Sequence, residues 1–187
     1  LGDVYKRQII DKENKFCSAV DPASPEEIIP FLEKEKIGLK NILNTHYHSD
    51  HTAGNLELKE KYKCKIYGPD KEKDQIPGID ITLKENDTLK INDYSVKIFE
   101  TPGHTAGHII YWFEKEKVVF TGDTLFVLGC GKLFEGTPEI MWNSLLKIRN
   151  LPKETEIYCG HEYSKSNADF ALSIEKNNNK LMKRSNE

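Results

Sequence analysis

The chain has 187 residues, enough for one domain with a sizeable core and too few for two large ones. Its 30 acidic and 27 basic residues leave a formal charge of −3, so no general basic field exists to draw nucleic acid or an anionic membrane. Cys17, Cys64, Cys130 and Cys159 stand far apart with no C-x-x-C pair, which argues against a zinc knuckle or disulfide scaffold, and no apolar run approaches the roughly 18 residues of a membrane span.

Residues 1–8 show no clear period and read as a non-native start, followed by one folded domain over 9–176 and a loose basic tail over 177–187. Two β-rich runs, 8–11 and 16–20, flank a Lys-Glu-Asn-Lys turn and predict a hairpin. Ser24, Pro25 and Glu27 predict an N-cap, a first helical residue and a capping box for a helix that buries Ile28, Ile29, Phe31 and Leu32 and stops near Gly38. A buried strand over 40–45 then delivers the chain to His46. A helix follows over 55–62, its Lys-rich run from Lys59 to Lys65 reading as a solvated face, and a strand over 64–67. An antiparallel meander is predicted over 87–91, 94–100, 108–113 and 118–121, with a tight turn at Asn92 and Asp93. Thr137 caps a helix running to Arg149, and a strand over 156–159 and a helix over about 166–176 complete the pattern. Helices before, between and after two groups of strands predict a sandwich of two sheets with helices outside.

The chemistry begins at His46. His46, His48, Asp50 and His51 put three imidazoles and a carboxylate into six residues directly after a strand, and neutral imidazole with carboxylate is the usual set around a borderline-soft divalent metal. A chance cluster would have to place half of the chain's six histidines in one window. Alternate residues of an extended segment share a side, so His46 and His48 can chelate one ion, while Asp50 and His51, where the chain turns, can face a second. His104 and His161 each follow a strand end beside glycine. Alone either reads as structural; with the first cluster present both read as ligands. Asp123 comes straight off an apolar strand, where a carboxylate is costly unless paired or bound to metal. These seven exceed what one tetrahedral zinc uses, which implies two metals. His108 is left over as a structural or ligand-orienting residue, and Asp21 reads equally as a turn residue or as a group that orients a ligand from outside.

Thr45, His46, His48, Asp50 and His51, followed in order by His104, Asp123 and His161, resemble the metallo-β-lactamase superfamily pattern. The resemblance implies an α+β fold, the αββα four-layer sandwich, with His46, His48 and His104 on the first ion, Asp50, His51 and His161 on the second, and Asp123 with a hydroxide bridging the two. Residues 122–137 and Gly160-His161-Glu162-Tyr163 are similar to the glyoxalase II family within it. That likeness implies hydrolysis of S-D-lactoylglutathione to glutathione and D-lactate, the chemistry of methylglyoxal detoxification, with Asp50 and Asp123 as catalytic carboxylates. It further implies that Lys132 holds a glutathione carboxylate, that Tyr163 hydrogen-bonds the tripeptide backbone, and that Phe134 lines the same site where the family commonly has Tyr. The implied cofactors are two divalent metal ions, zinc first, with iron and manganese open. The implied partner is a small glutathione thioester, with no nucleic acid and no membrane, for a monomer in the cytoplasm; a mitochondrial location stays open with the native N-terminus. The family carries a helical C-terminal extension, of which 177–187 would be the start. Two rivals remain: a persulfide dioxygenase or another hydrolase of the same fold, against which the stretch from Lys132 to Gly136 speaks, and an inactive metal-binding fragment, against which the full ligand set speaks.

Overall fold

Alternation along the strands decides which side of each sheet a residue serves. In β8 (Ile109–Phe113), Ile109, Tyr111 and Phe113 join one buried cluster while Ile110 and Trp112 join another. The computed structural model describes residues 7–186. In chain order the remaining elements are β1 (Arg7–Asp11), β2 (Phe16–Val20), α1 (Pro25–Glu35), β3 (Gly38–Leu43), α2 (Ser49–Thr52), α3 (Asn55–Tyr62), β4 (Lys65–Pro69), β5 (Ile81–Leu83), β6 (Thr88–Ile91), β7 (Tyr94–Glu100), β9 (Val118–Gly122), β10 (Leu125–Phe126), β11 (Gly129–Cys130), α4 (Pro138–Arg149), β12 (Glu156–Cys159), α5 (Ser164–Ile174) and α6 (Asn179–Ser185). One sheet has the order β1-β2-β3-β4-β5 and the other β12-β9-β8-β7-β6, with β10-β11 a separate small hairpin.

Three apolar clusters glue four layers together. Ile28 and Leu32 of α1 and Leu58 of α3 pack on Cys17, Ala19, Leu39, Ile42 and Ile66 of the first sheet. Val20, Leu43 and Leu83 on that sheet's other face meet Ile98, Ile109, Tyr111 and Phe120 of the second. Ile110, Trp112 and Val119, on the second sheet's far face, meet Ile148 of α4. The expected αββα sandwich is therefore present. No helix among the described residues is long and apolar enough to cross a membrane.

Direction matters for the site. β7 and β9 are each antiparallel to β8, and β12 is parallel to β9, so β7, β9 and β12 all point the same way and end on one edge. β3 of the other sheet ends at that edge too, where the Ile109 N–H donates to the Thr45 carbonyl at 2.9 Å. Four strand ends thus deliver the segments that carry His46, His104, Asp123 and His161.

Several local expectations need correction. Ser24 has the extended backbone of an N-cap but caps nothing with its side chain; its hydroxyl donates to Glu26 instead, so no capping box forms. Lys36, in the left-handed region at φ 54°, ends α1 before Gly38, which opens β3. Among the described residues the first strand pair is Arg7 with Val20, one residue ahead of the expected hairpin, and residues 1–6 of the segment read as a non-native start lie outside the described residues. The tail is not loose over 179–185: Asn178 accepts the N–H groups of Lys180 and Leu181, nucleating α6, and Leu181 is buried.

Candidate metal centre

The four strand ends bring the seven predicted residues to one place in two groups. His46 Nε2 lies 3.1 Å from His48 Nδ1, which lies 3.1 Å from His104 Nε2. His51 Nε2 lies 3.1 Å from His161 Nε2, and Asp50 Oδ2 is 3.5 Å from the latter. Asp123 stands between them, with Oδ2 3.4 Å from His104 Nε2 and 3.3 Å from His161 Nε2, and Oδ1 3.4 Å from His51 Nε2. Both groups can hold a metal ion. Ligand atoms around a tetrahedral zinc at its usual bond lengths are about 3.3 Å apart, so these separations suit a coordination shell.

Tautomers support the fit. His104 Nδ1 is 2.8 Å from the Lys132 carbonyl, which can only accept, so the proton sits on Nδ1 and Nε2 keeps its lone pair. Thr45 Oγ1 donates to Asp21 Oδ2 at 2.7 Å and therefore accepts from His46 Nδ1 at 3.0 Å, which frees His46 Nε2 in the same way. His51 Nδ1 is 3.1 Å from Asp21 Oδ2, a contact that turns Nε2 toward its neighbours. Asp21, in the left-handed region at φ 49°, also accepts the Thr45 N–H at 2.8 Å. Of its two readings, the group that orients a ligand from outside is the one this geometry supports. Lone pairs that converge without a proton between them repel, and a shared cation removes that cost. The buried Asp123 Oδ1 has no hydrogen-bond partner, another atom that a cation would satisfy.

Electrostatics agree. Burial pushes His46 well below the usual imidazole range, with His51, His108 and His104 adding to it, and burial lowers His48 and His104 as well, so these three are neutral donors. His51 is also opposed by burial, but Asp21, Asp123 and Asp50 outweigh it and raise it to about 9, a field that attracts cations. Burial works against Asp123 too, yet its hydrogen bond with His161 and the neighbouring His51, His161 and His104 rings hold it below the usual carboxylate value.

His108 is not in either group. It is fully buried, its Nε2 accepts the Asp123 N–H at 3.1 Å, and its Nδ1 lies 3.1 Å from the hydroxyls of Thr101 and Thr124. Burial lowers it to about 3, so it stays neutral. Gly122, at φ 47°, makes the turn that presents Asp123; a Cβ there would collide with Thr45 and come within 2.8 Å of His108 Nε2.

A cleft of about 590 Å³ opens over both groups, lined by Asp50, Phe126, Cys130, Lys132, Phe134 and Tyr163 among others. Lys132 Nζ is 5.0 Å from the centroid of the exposed Phe134 ring. The half-buried Tyr163 stacks on His161, with centroids 5.2 Å apart.

Residues 20–161 match the family model described as the metallo-beta-lactamase superfamily. The chain is 49% identical over 181 residues to the hydroxyacylglutathione hydrolase of Pelagibacter ubique, covering 97% of this chain and 76% of that relative. It is 46% identical over 184 residues to the enzyme of the same name from Methylococcus capsulatus, covering 98% and 72%. The chain belongs to the hydroxyacylglutathione hydrolase family of the metallo-beta-lactamase superfamily. Among solved structures, the BLEG-1 B3 metallo-beta-lactamase is similar with a TM-score of 0.78 at 26% identity, covering 86% of this chain and 88% of that one. ETHE1 from Myxococcus xanthus gives 0.75 at 26% identity, covering 87% and 74%.

Family membership does not explain every residue that shapes the site. Sequence reasoning passed over Thr45 as a relay between Asp21 and His46. It also passed over Asn44, whose side chain donates to the His51 carbonyl at 3.0 Å and accepts from Asn55 at 2.8 Å. Glu72 and Glu135 were missed as well: both accept hydrogen bonds from the segment between His46 and His48. The adjacency of Asn44 and Thr45 to His46 was the available signal for two of them; Glu72 stood in an ordinary charged run, and Glu135 in a Gly-rich stretch read only for Lys132 and Phe134.

Proposed function

We propose that the chain hydrolyses S-D-lactoylglutathione to glutathione and D-lactate at a pair of divalent metal ions, zinc first, held by His46, His48 and His104 on one side, Asp50, His51 and His161 on the other, and Asp123 between. The observation that carries the reading is the placement of Asp123, within 3.4 Å of nitrogens from both histidine groups, at the floor of an open cleft. When bound there, two cations would lower the pKa of a water toward neutral pH and polarise the thioester carbonyl. The chain's own residues do the rest. Asp21 and the Lys132 carbonyl fix the rings of His51 and His104, while His108 and Gly122 fix Asp123. Phe126 and Phe134 give the cleft apolar walls, Lys132 supplies a cation for a remote carboxylate, and Tyr163 supplies a phenol for the tripeptide backbone. The leaving thiolate of glutathione is stable enough near neutral pH that no strong general acid is required.

The test is to measure metal stoichiometry and to assay lactoylglutathione beside a β-lactam and a phosphodiester. Selective turnover of the thioester with two metals bound is expected; turnover of only the β-lactam or the phosphodiester would overturn the reading. Lys132→Ala is expected to raise KM for lactoylglutathione about tenfold with little change in kcat, because the contact is equal in ground and transition states. A fall in kcat alone would place Lys132 at the reacting carbon.

A further inference from the structure

The His46–His48 segment is tied to the His104 loop by a carboxylate that no ligand motif contains. Glu72 lies on a turn of 3-10 helix at Asp70–Glu72, directly after β4, in a charged run that reads as surface, yet it is only 3% exposed. Its Oε2 accepts the Tyr47 N–H at 2.9 Å, and its Oε1 accepts the Gly107 N–H at 2.8 Å. Tyr47 stands between His46 and His48, and Gly107 closes the loop that carries His104. One rigid, buried carboxylate therefore spans both backbone segments from which the first three imidazoles project. Gly107 is built for this contact, since a Cβ there would come within 2.6 Å of Glu72 Cγ and 2.9 Å of its Oε1. Glu135 makes a second tie between the same segments from outside, accepting the Tyr47 phenol at 2.6 Å and the Ala106 N–H at 2.7 Å.

We propose that Glu72 is a positioning residue for the first metal site: by holding Tyr47 and Gly107 on its two oxygens it sets the separation of His46 and His48 from His104, and Glu135 reinforces that separation. The inference rests on the two-metal reading above. Asp21 performs the matching task for His51 through a ring nitrogen; Glu72 acts one step further out, through the backbone. Groups that orient metal ligands typically change affinity or activity by about 10–100-fold when altered.

Glu72→Gln keeps the side chain's volume and replaces one acceptor by an NH₂ group, which cannot accept from an amide, so one tie breaks. Zinc and cobalt(II) titrations of the purified chain would read the two equivalents separately. In Glu72→Gln the affinity for one equivalent is expected to fall about 10–100-fold. Its cobalt(II) visible spectrum should change for that equivalent only, and kcat should drop with KM for lactoylglutathione unchanged. Ile28→Val, in the remote core under α1, controls for lost stability and should keep both affinities. Glu135→Gln, at an exposed position that does not threaten folding, should weaken the same equivalent by a few-fold. Wild-type affinity and spectrum in a folded Glu72→Gln, or equal loss at both sites matched by Ile28→Val, would overturn the proposal. If Glu72→Gln does not fold, wild-type metal binding by Glu135→Gln overturns it. A wild-type chain that binds two metals without hydrolysing the thioester would overturn the substrate assignment alone and leave the affinity comparison decisive. A wild-type chain that binds no metal pair would overturn both.

Discussion

Asp123 is set by its neighbours through its own backbone. Its N–H is held by His108 and its φ/ψ path by Gly122, so the carboxylate arrives between two imidazole groups already aimed. Asp123→Ala should lose metal and activity together, because nothing nearby replaces an oxygen that reaches both groups; retained binding of two metals, measured by metal analysis, would contradict this. His108→Gln should behave differently, keeping near-normal metal content while losing about 1–3 kcal/mol of stability in thermal unfolding, since the buried threonine hydroxyls and the Asp123 amide lose a matched partner. Loss of one metal equivalent would show that His108 acts as a ligand. At this scale the candidate ligands stood out because histidine is scarce in the chain and half of it falls in six residues. Glu72 was not, because one glutamate in Asp70-Lys71-Glu72-Lys73-Asp74 looks like its neighbours until the chain folds over it. Asp21 stayed ambiguous for a related reason: an Asp before Pro is a common turn, and only the fold puts Thr45 and His51 against it.

Elements were readable wherever a period and a cap agreed. The hairpin β1-β2, the meander β6 to β9 and helices α3 and α4 fall within a residue or so of where alternation, turn residues and caps put them. Thr137 does cap α4, accepting the Ile140 N–H at 3.3 Å, whereas Ser24 fails to cap α1 because Glu26 takes its hydroxyl. The contrast yields a prediction: Thr137→Ala should cost about 1 kcal/mol and lower Tm, and Ser24→Ala should cost clearly less. Equal losses would mean that the cap bond at Thr137 contributes nothing. α2 and β10-β11 were invisible because four residues, or two, carry no period at all. α6 was missed because its sequence, rich in Asn and Lys, announces polarity, and only Leu181 docking beside α5 gives it an apolar anchor.

The whole molecule explains why chemistry gathers at one edge. Three strands of one sheet run parallel in space and end beside β3 of the other, so residues far apart in sequence converge without any long loop. The three apolar clusters that hold the layers lie beneath and behind this edge, so metal removal should empty the site while leaving the sandwich folded. The sandwich of two sheets could be anticipated from the grouping of strands, but not the strand order within each sheet, nor the parallel return of β12 onto β9, which depends on where α4 packs. The central claim is that two metals at this edge hydrolyse a glutathione thioester, and the most direct test is hydrolysis of S-D-lactoylglutathione by chelator-stripped protein as zinc is returned in steps. The account predicts no turnover without metal and activity that reaches its plateau only as the second equivalent binds, with the far-ultraviolet dichroism unchanged throughout. Full activity in the stripped protein, a plateau at one equivalent, or no turnover at two would contradict it.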